Sequence, residues 1–214
     1  MKIETLEVAG IGPAVRALRN PFSNWHLSDT KHGLIGPKDM HLSDRLAKSG
    51  GSHSKHLRMI QVWAEIWAPR YWWTEFDTYR QGVERLSTST MHTLTRTQLA
   101  PEHFEWDGDR AALGAMILHL NELIEEYRMA DKAGAPLDRE LAFRVLKQSL
   151  PESFIQRRTI MASYQALRHM YEDRAGHRLR EWQTFRAWCE TLPEAWMITG
   201  NVPEARAYDE LNDD

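Results

Sequence analysis

The chain has 214 residues, 42% of them apolar and 27% charged, with a formal net charge of −3. This is the balance of a soluble globular protein with chain enough for a sizeable core, built as one domain or as two closely packed lobes. It gives no reason to expect a broad polyanion-binding surface, although a local phosphate site stays open, and the single cysteine, Cys189, excludes an intramolecular disulfide. The opening MKIETLEVAG lacks a signal-peptide core and no apolar run reaches the ~18–20 residues of a bilayer span. A cytoplasmic protein with no membrane and no nucleic-acid partner is therefore expected.

Lys2–Ile11 alternates loosely, as a first strand does, and Pro13–Leu18 suits a short helix. Asn20–Gly36 is rich in turn formers. Helical spacing returns over Asp39–Lys48 through Met40, Leu42 and Leu46 and stops at Ser49-Gly50-Gly51-Ser52. Leu57–Ala68 reads as a buried strand, after which Pro69 opens a helix running to about Gln81. Asp109–Ala130 carries the clearest helical stripe: Leu113, Met116, Ile117, Leu120, Leu123, Ile124 and Tyr127. A second helix starts at Pro136, places Leu141, Val145 and Leu146 on one face, and ends near Pro151. Phe154–Ala162 is strand-like, and Ser163–Arg174 is helical with Tyr164, Leu167, Met170 and Tyr171 inward. A last helix presents Trp182, Phe185, Trp188, Cys189 and Leu192, and the acidic residues 201–214 read as a loose tail. The pattern predicts an α+β fold.

Two segments, Lys55–His92 and Leu150–Glu181, hold most of the residues suited to chemistry. In the first, Ala68-Pro69 leads into a helix with Thr74-Glu75, then Thr78-Tyr79-Arg80, then the loop Leu86-Ser87-Thr88-Ser89-Thr90-Met91. Leading into the second stands Leu146-Lys147-Gln148-Ser149-Leu150-Pro151; within it follow Ser163-Tyr164-Gln165-Ala166-Leu167, then Arg174 and Glu181. Six of nine tryptophans (Trp63, Trp67, Trp72, Trp73, Trp182, Trp188) lie in or beside these segments, as core or as flat surface for a planar ligand.

The order and spacing of these motifs resemble the flavin-dependent thymidylate synthases, the ThyX family. That family has Arg-His-Arg where this chain has Thr78-Tyr79-Arg80, and Arg-Gln where it has Thr74-Glu75. Its loop signature Asn-Glu-x-Ser-x-Arg keeps only the serine, as Ser89, and its phosphate-binding arginine becomes Met91. Its Ala-Arg-x-x-Leu-Pro retains Leu150-Pro151 and a cation at Lys147. The resemblance implies a central, mostly antiparallel sheet packed with helices plus a long helical region. It also implies FAD as cofactor, a reduced folate and NADPH as co-reactants, a pyrimidine deoxynucleotide such as dUMP as substrate, and a homotetramer.

Residue by residue, the resemblance implies that Arg174 donates to a ring carbonyl and stabilises charge developing there. Ser89 would donate a hydroxyl to phosphate or substrate, and Lys147 would meet phosphate as a point charge. Arg80 would hold a phosphate or a flavin carbonyl through its fork of donors. His53, His56, Tyr79, Ser163, Gln165, His169 and Arg178 fall at or near flavin-contacting positions. Glu75 is the departure with a chemical consequence: an ionised carboxylate only accepts hydrogen bonds, so it would favour an amino-bearing base such as that of dCMP. Each residue also has a plainer role: Arg174 and Lys147 as solvated cations, Arg80 paired with Asp77 or Glu84, Glu75 with Arg70 or Arg80, and Ser87–Thr90 as simple loop. His53-x-x-His56 has no further ligand to complete a recognisable metal set, so no metal is expected. The competing reading of the whole is a protein of this fold that has lost catalysis and serves as a binding or scaffold module.

Overall fold

The computed structural model describes residues 1–202; most of the tail expected over 201–214 lies outside the described residues. Four strands, β1 (Lys2–Ala9), β2 (Gln61–Pro69), β3 (Val83–Ser87) and β4 (Ile155–Ser163), form one sheet in the order β1-β2-β4-β3. The register is antiparallel throughout. Arg70 N donates to Phe154 O (3.1 Å) at one end of the β2–β4 pair, and Tyr164 N donates to Ile60 O (3.0 Å) at the other. Ser163 N to Gly82 O (2.8 Å) and Thr88 N to Arg157 O (2.9 Å) fix β3 against β4 in the same sense. Lys2 beside the Trp67 ring and Gly10 against the Met59 carbonyl do so for β1. β2 shows the period of two that the pleat requires: Val62, Ala64, Ile66 and Ala68 are buried, while Gln61, Trp63, Glu65 and Trp67 are half-exposed.

The helices are α1 (Ile11–Ala17), α2 (Pro37–Ser49), α3 (Arg70–Phe76), α4 (Thr90–Thr93), α5 (Arg110–Lys132), α6 (Pro136–Ser149), α7 (Tyr164–Asp173), α8 (Arg180–Glu190) and α9 (Trp196–Thr199). Proline at the first position starts α2 and α6, where a missing N–H costs nothing. Asp109 starts α5 by accepting from Ala112 N at 2.9 Å. Among the described residues no helix is long and apolar enough to cross a membrane.

The chain divides into two compact units. The first comprises Met1–Lys2, Ile66–Thr78 and Leu86–Arg158. Its core is the predicted α5 stripe (Leu113, Ile117, Leu120, Leu123, Ile124) closed by Leu94, Leu99, Phe104, Leu146 and Leu150. Trp72, Trp73 and Phe76 of α3 are fully buried, with the Trp72 and Trp73 rings 4.9 Å apart and edge-to-face. The second unit comprises Ile3–Glu65, Tyr79–Arg85 and the chain from Thr159. There Tyr164, Leu167 and Met170 of α7 are buried, as are Trp182, Phe185, Trp188 and Cys189 of α8. Burial pushes the Cys189 thiol well up, so it is an inert core residue.

Three boundaries differ from expectation. The helix opened by Pro69 stops at Phe76 instead of running to Gln81, and Leu86 and Ser87, read as loop, end strand β3 (Val83–Ser87). The strand expected from Leu57 begins at Gln61, because His53–Arg58 closes into a 3-10 turn. Gly82 makes the step into β3 possible. Its φ is +70°, and a Cβ there would lie 2.6 Å from Ser163 Oγ. Gly82→Ala is expected to destabilise by roughly 1–3 kcal/mol, read as a fall of several degrees in Tm. An unchanged Tm would show that this turn relaxes freely.

Candidate functional site

In the second unit, the site residues gather at two places. The first is the end of α7. Arg174 is the C-cap residue, so its side chain leaves the helix where the chain turns toward α8. Its Nε donates to Tyr79 Oη at 2.9 Å, and its guanidinium carbon lies 4.6 Å from the Trp182 ring centre and 5.3 Å from that of Tyr79. The two rings meet edge-to-face at 6.0 Å. Tyr79 Oη donates in turn to Asp173 Oδ2 at 3.3 Å. Partial burial, helped by Asp173 and opposed by Arg174, raises the Tyr79 pKa, so the phenol stays protonated. His177 lies 6.3 Å from the Trp182 ring, its Nδ1 accepting from Leu179 N. The arrangement fixes the guanidinium in an aromatic seat, which suits a cation meant to meet a planar polar group.

The second place is the 3-10 turn His53–Arg58 with the start of α7. Gln165 Nε2 donates to Ser54 Oγ at 2.8 Å, and its Oε1 accepts from Arg58 Nε. His56 is only 4% exposed, with Nε2 2.8 Å from Ser43 Oγ. Its Nδ1 is buried without a well-formed hydrogen bond, the His53 backbone offering only a weak interaction. Burial lowers the His56 pKa to about 4, so the ring is neutral at pH 7. His53 is exposed. Both histidines line a cavity of about 810 Å³ together with Arg19, Phe22, Arg45, Lys55 and Met59. Among the described residues no carboxylate lines it. A cavity with apolar walls and cations on its rim accepts an anionic ligand with a flat apolar part.

Ser163, 3% exposed, is committed to the fold: its Oγ accepts from Ala166 N at 3.2 Å and caps α7. Arg80, His169 and Arg178 are exposed and fall in neither cluster.

In the first unit, Lys147 in the last turn of α6 donates to Thr90 Oγ1, tying that helix to the Ser87–Met91 loop. Burial, and then the nearby Arg70 charge, lowers the Lys147 pKa. Ser89 precedes α4, its carbonyl accepting from His92 N and Thr93 N. Gln156 Nε2 donates to Thr88 O at 2.8 Å and supports the same loop. Glu75 is half-buried in α3, and its carbonyl accepts from Thr78 N and Oγ1. Met91 is 59% exposed.

Sequence reasoning missed several of these partners. Asp77 pairs with Arg158, whose NH1 donates to both carboxylate oxygens at 2.8 and 3.0 Å while the guanidinium stacks 4.3 Å over Trp73. Arg70 pairs with Glu152 at 3.0 Å. In sequence Arg70 stood only as a partner for Glu75 and as the residue after Ala68-Pro69. Among the described residues, no group of three or more His, Cys, Asp or Glu is arranged to hold a metal.

No family model matches the chain, and no curated protein matches it in sequence. Solved structures do. A crystal structure of Helicobacter pylori thymidylate synthase X with FAD and dUMP superposes with a TM-score of 0.72 at 18% identity, covering 94% of this chain and 98% of that one. A second structure of the same flavin-dependent enzyme, also with FAD and dUMP, gives a TM-score of 0.72 at 18% identity over 95% and 100%. The α+β chain therefore has the ThyX fold.

Proposed function

We propose that the protein is a flavin-dependent enzyme of the thymidylate synthase type that modifies C5 of a pyrimidine deoxynucleotide, dUMP or an amino-bearing relative such as dCMP. The observation that carries this reading is a near full-length fold match to an enzyme holding FAD and dUMP. The donor set supports it. The cavity lined by Arg45, Lys55, His53 and His56, with no carboxylate among its described lining residues, suits the anionic, partly planar FAD. When bound, FAD supplies hydride chemistry, with a reduced folate as one-carbon source and NADPH as reductant.

The chain's own residues bind, orient and polarise. Arg174, held by Tyr79 and Trp182, would donate to a ring carbonyl and stabilise the negative charge that builds there as C5 becomes nucleophilic. Glu75 would accept from an exocyclic amino group, which favours dCMP over dUMP. Lys147 and Ser89 would meet the phosphate. A homotetramer belongs to this reading. The half-exposed Trp63 and the 55% exposed Leu6 are apolar surface for a neighbouring subunit to cover.

The exposed Met91, at the family's phosphate arginine, favours a second reading as a non-catalytic module of the same fold. One experiment separates the two. Purified protein is incubated with FAD, freed of unbound cofactor, and scanned for absorption near ~450 nm. The enzyme reading expects a retained band that shifts when dUMP or dCMP is added. A colourless protein at high concentration would favour the non-catalytic module.

A further inference from the structure

We propose that Arg70 is a substrate-phosphate cation, supplying with Lys147 the charge that Met91 does not, beside the Thr90 hydroxyl. This rests on the nucleotide reading above. Three observations in the first unit carry it.

The first is convergence. Arg70 N is tied to Phe154 O at 3.1 Å, which fixes its backbone at the start of α3. Its side chain turns to the C-terminal end of α6, where NH1 donates to Leu150 O at 3.2 Å. Lys147, in the last turn of that helix, reaches the Thr90 hydroxyl. Two cations from separate elements thus meet at one helix end, beside the loop that carries Ser89 and Met91.

The second is their balance of charge. The negative end of α6 accounts for one cation near Leu150, since a helix C-terminus favours positive charge. It does not account for directing a second, partly buried one at Thr90. Lys147 is destabilised in its charged form by burial and by Arg70, a strain that a bound dianion would relieve. The carboxylate paired with Arg70 is Glu152, whose side chain is 55% exposed and leaves with little penalty.

The third is that the other nearby arginines are engaged. Arg158 is fixed by Asp77 and Trp73, and Arg157 lies 5.1 Å over the Trp67 ring. Arg70 is engaged too, with Leu150 O and Glu152, but that carboxylate is exposed and phosphate oxygens can replace it on the planar fork, where Lys147 offers only a point charge.

The test is calorimetric titration of the FAD-incubated full chain with dUMP, dCMP, deoxyuridine and inorganic phosphate. Wild type is expected to bind the nucleotides more tightly than deoxyuridine. Arg70→Met should weaken nucleotide binding roughly tenfold or more while leaving deoxyuridine affinity unmoved. Arg70→Lys should fall between them. Glu152→Gln removes the competing carboxylate and should strengthen nucleotide binding a few-fold; a purely structural ion pair would not do this. These two milder variants keep the test decisive if Arg70→Met does not fold.

Equal nucleotide affinity in wild type and Arg70→Lys, with Glu152→Gln also unchanged, would overturn the proposal and leave the enzyme reading intact. Equal loss of nucleotide and nucleoside would overturn it as well, by assigning Arg70 to the scaffold. Inorganic phosphate binding as tightly as dUMP would overturn the assignment to a nucleotide. Nucleotide binding that depends on Arg70 in a chain retaining no flavin would support the phosphate site and sink the flavin chemistry.

Discussion

Asp39→Ala is expected to destabilise the second unit by about 3–5 kcal/mol, because it strips the partner from a buried charge. Asp39 is fully buried in the first turn of α2, and Arg19 opposite it is only 8% exposed. Arg19 Nε donates to Asp39 Oδ1 at 2.9 Å and NH2 lies 2.7 Å from the same oxygen. Thr30 Oγ1 donates to Oδ2 at 2.7 Å, and Ser28 Oγ donates to it as well. Burial alone would raise the Asp39 pKa. The hydrogen bonds from Ser28, Thr30 and Arg19 outweigh burial and leave it below the ordinary carboxylate value. Its contribution is therefore present above the ordinary carboxylate range and is lost as pH falls through the lowered value. Removing the carboxylate strands a guanidinium in the cavity wall. Urea unfolding followed by tryptophan fluorescence at neutral pH measures the loss. The double variant Arg19→Met with Asp39→Leu removes both charges and should recover most of the stability. A single-variant loss below about 1 kcal/mol would mean that Arg19 reaches water, against its burial.

This network also marks how far sequence reading reaches. The long periodic elements were legible because their residues decide them locally: the α5 stripe, the alternating β2, and the strand-to-helix step from β4 into α7. Strand β3 was not. Its sequence VERLS is short, and of its five residues only Val83 is buried. What makes it a strand is pairing with β4 through Ser163 and Thr88, bonds to residues some seventy to eighty positions away. The same limit holds in the site. Arg174 and Tyr79 were each named from the resemblance, yet the hydrogen bond joining them spans 95 positions. His53 and His56 look alike in sequence. A 3-10 turn sends one to solvent and the other beneath Ser43. Asp39 carried no sequence signal beyond a place in the first turn of α2, because the three partners of its carboxylate, Arg19, Ser28 and Thr30, come from a helix end and a turn-rich loop.

The other large effect expected is a loss of stability on mild acidification, set by His56. Its ring is buried and its pKa falls from an ordinary 6.5 to about 4. The unfolded chain therefore binds a proton between those values that the folded chain refuses. Stability from this group is complete above pH 6.5 and is lost as pH falls toward 4. The difference amounts to about 3 kcal/mol, a large share of a domain's total. Arg45 and Lys55 line the same cavity, so a protonated His56 would also add charge among cations. Urea midpoints measured from neutral pH to pH 4 should fall steeply for the wild type. His56→Gln keeps an amide for Ser43 and cannot titrate, so its stability should vary much less over that window. Parallel slopes for the two proteins would mean that acidic residues alone set the acid limit. On the proposed flavin reading, loss of flavin from FAD-incubated protein should follow the His56 titration, because the ring that must stay neutral for the fold lines the cavity.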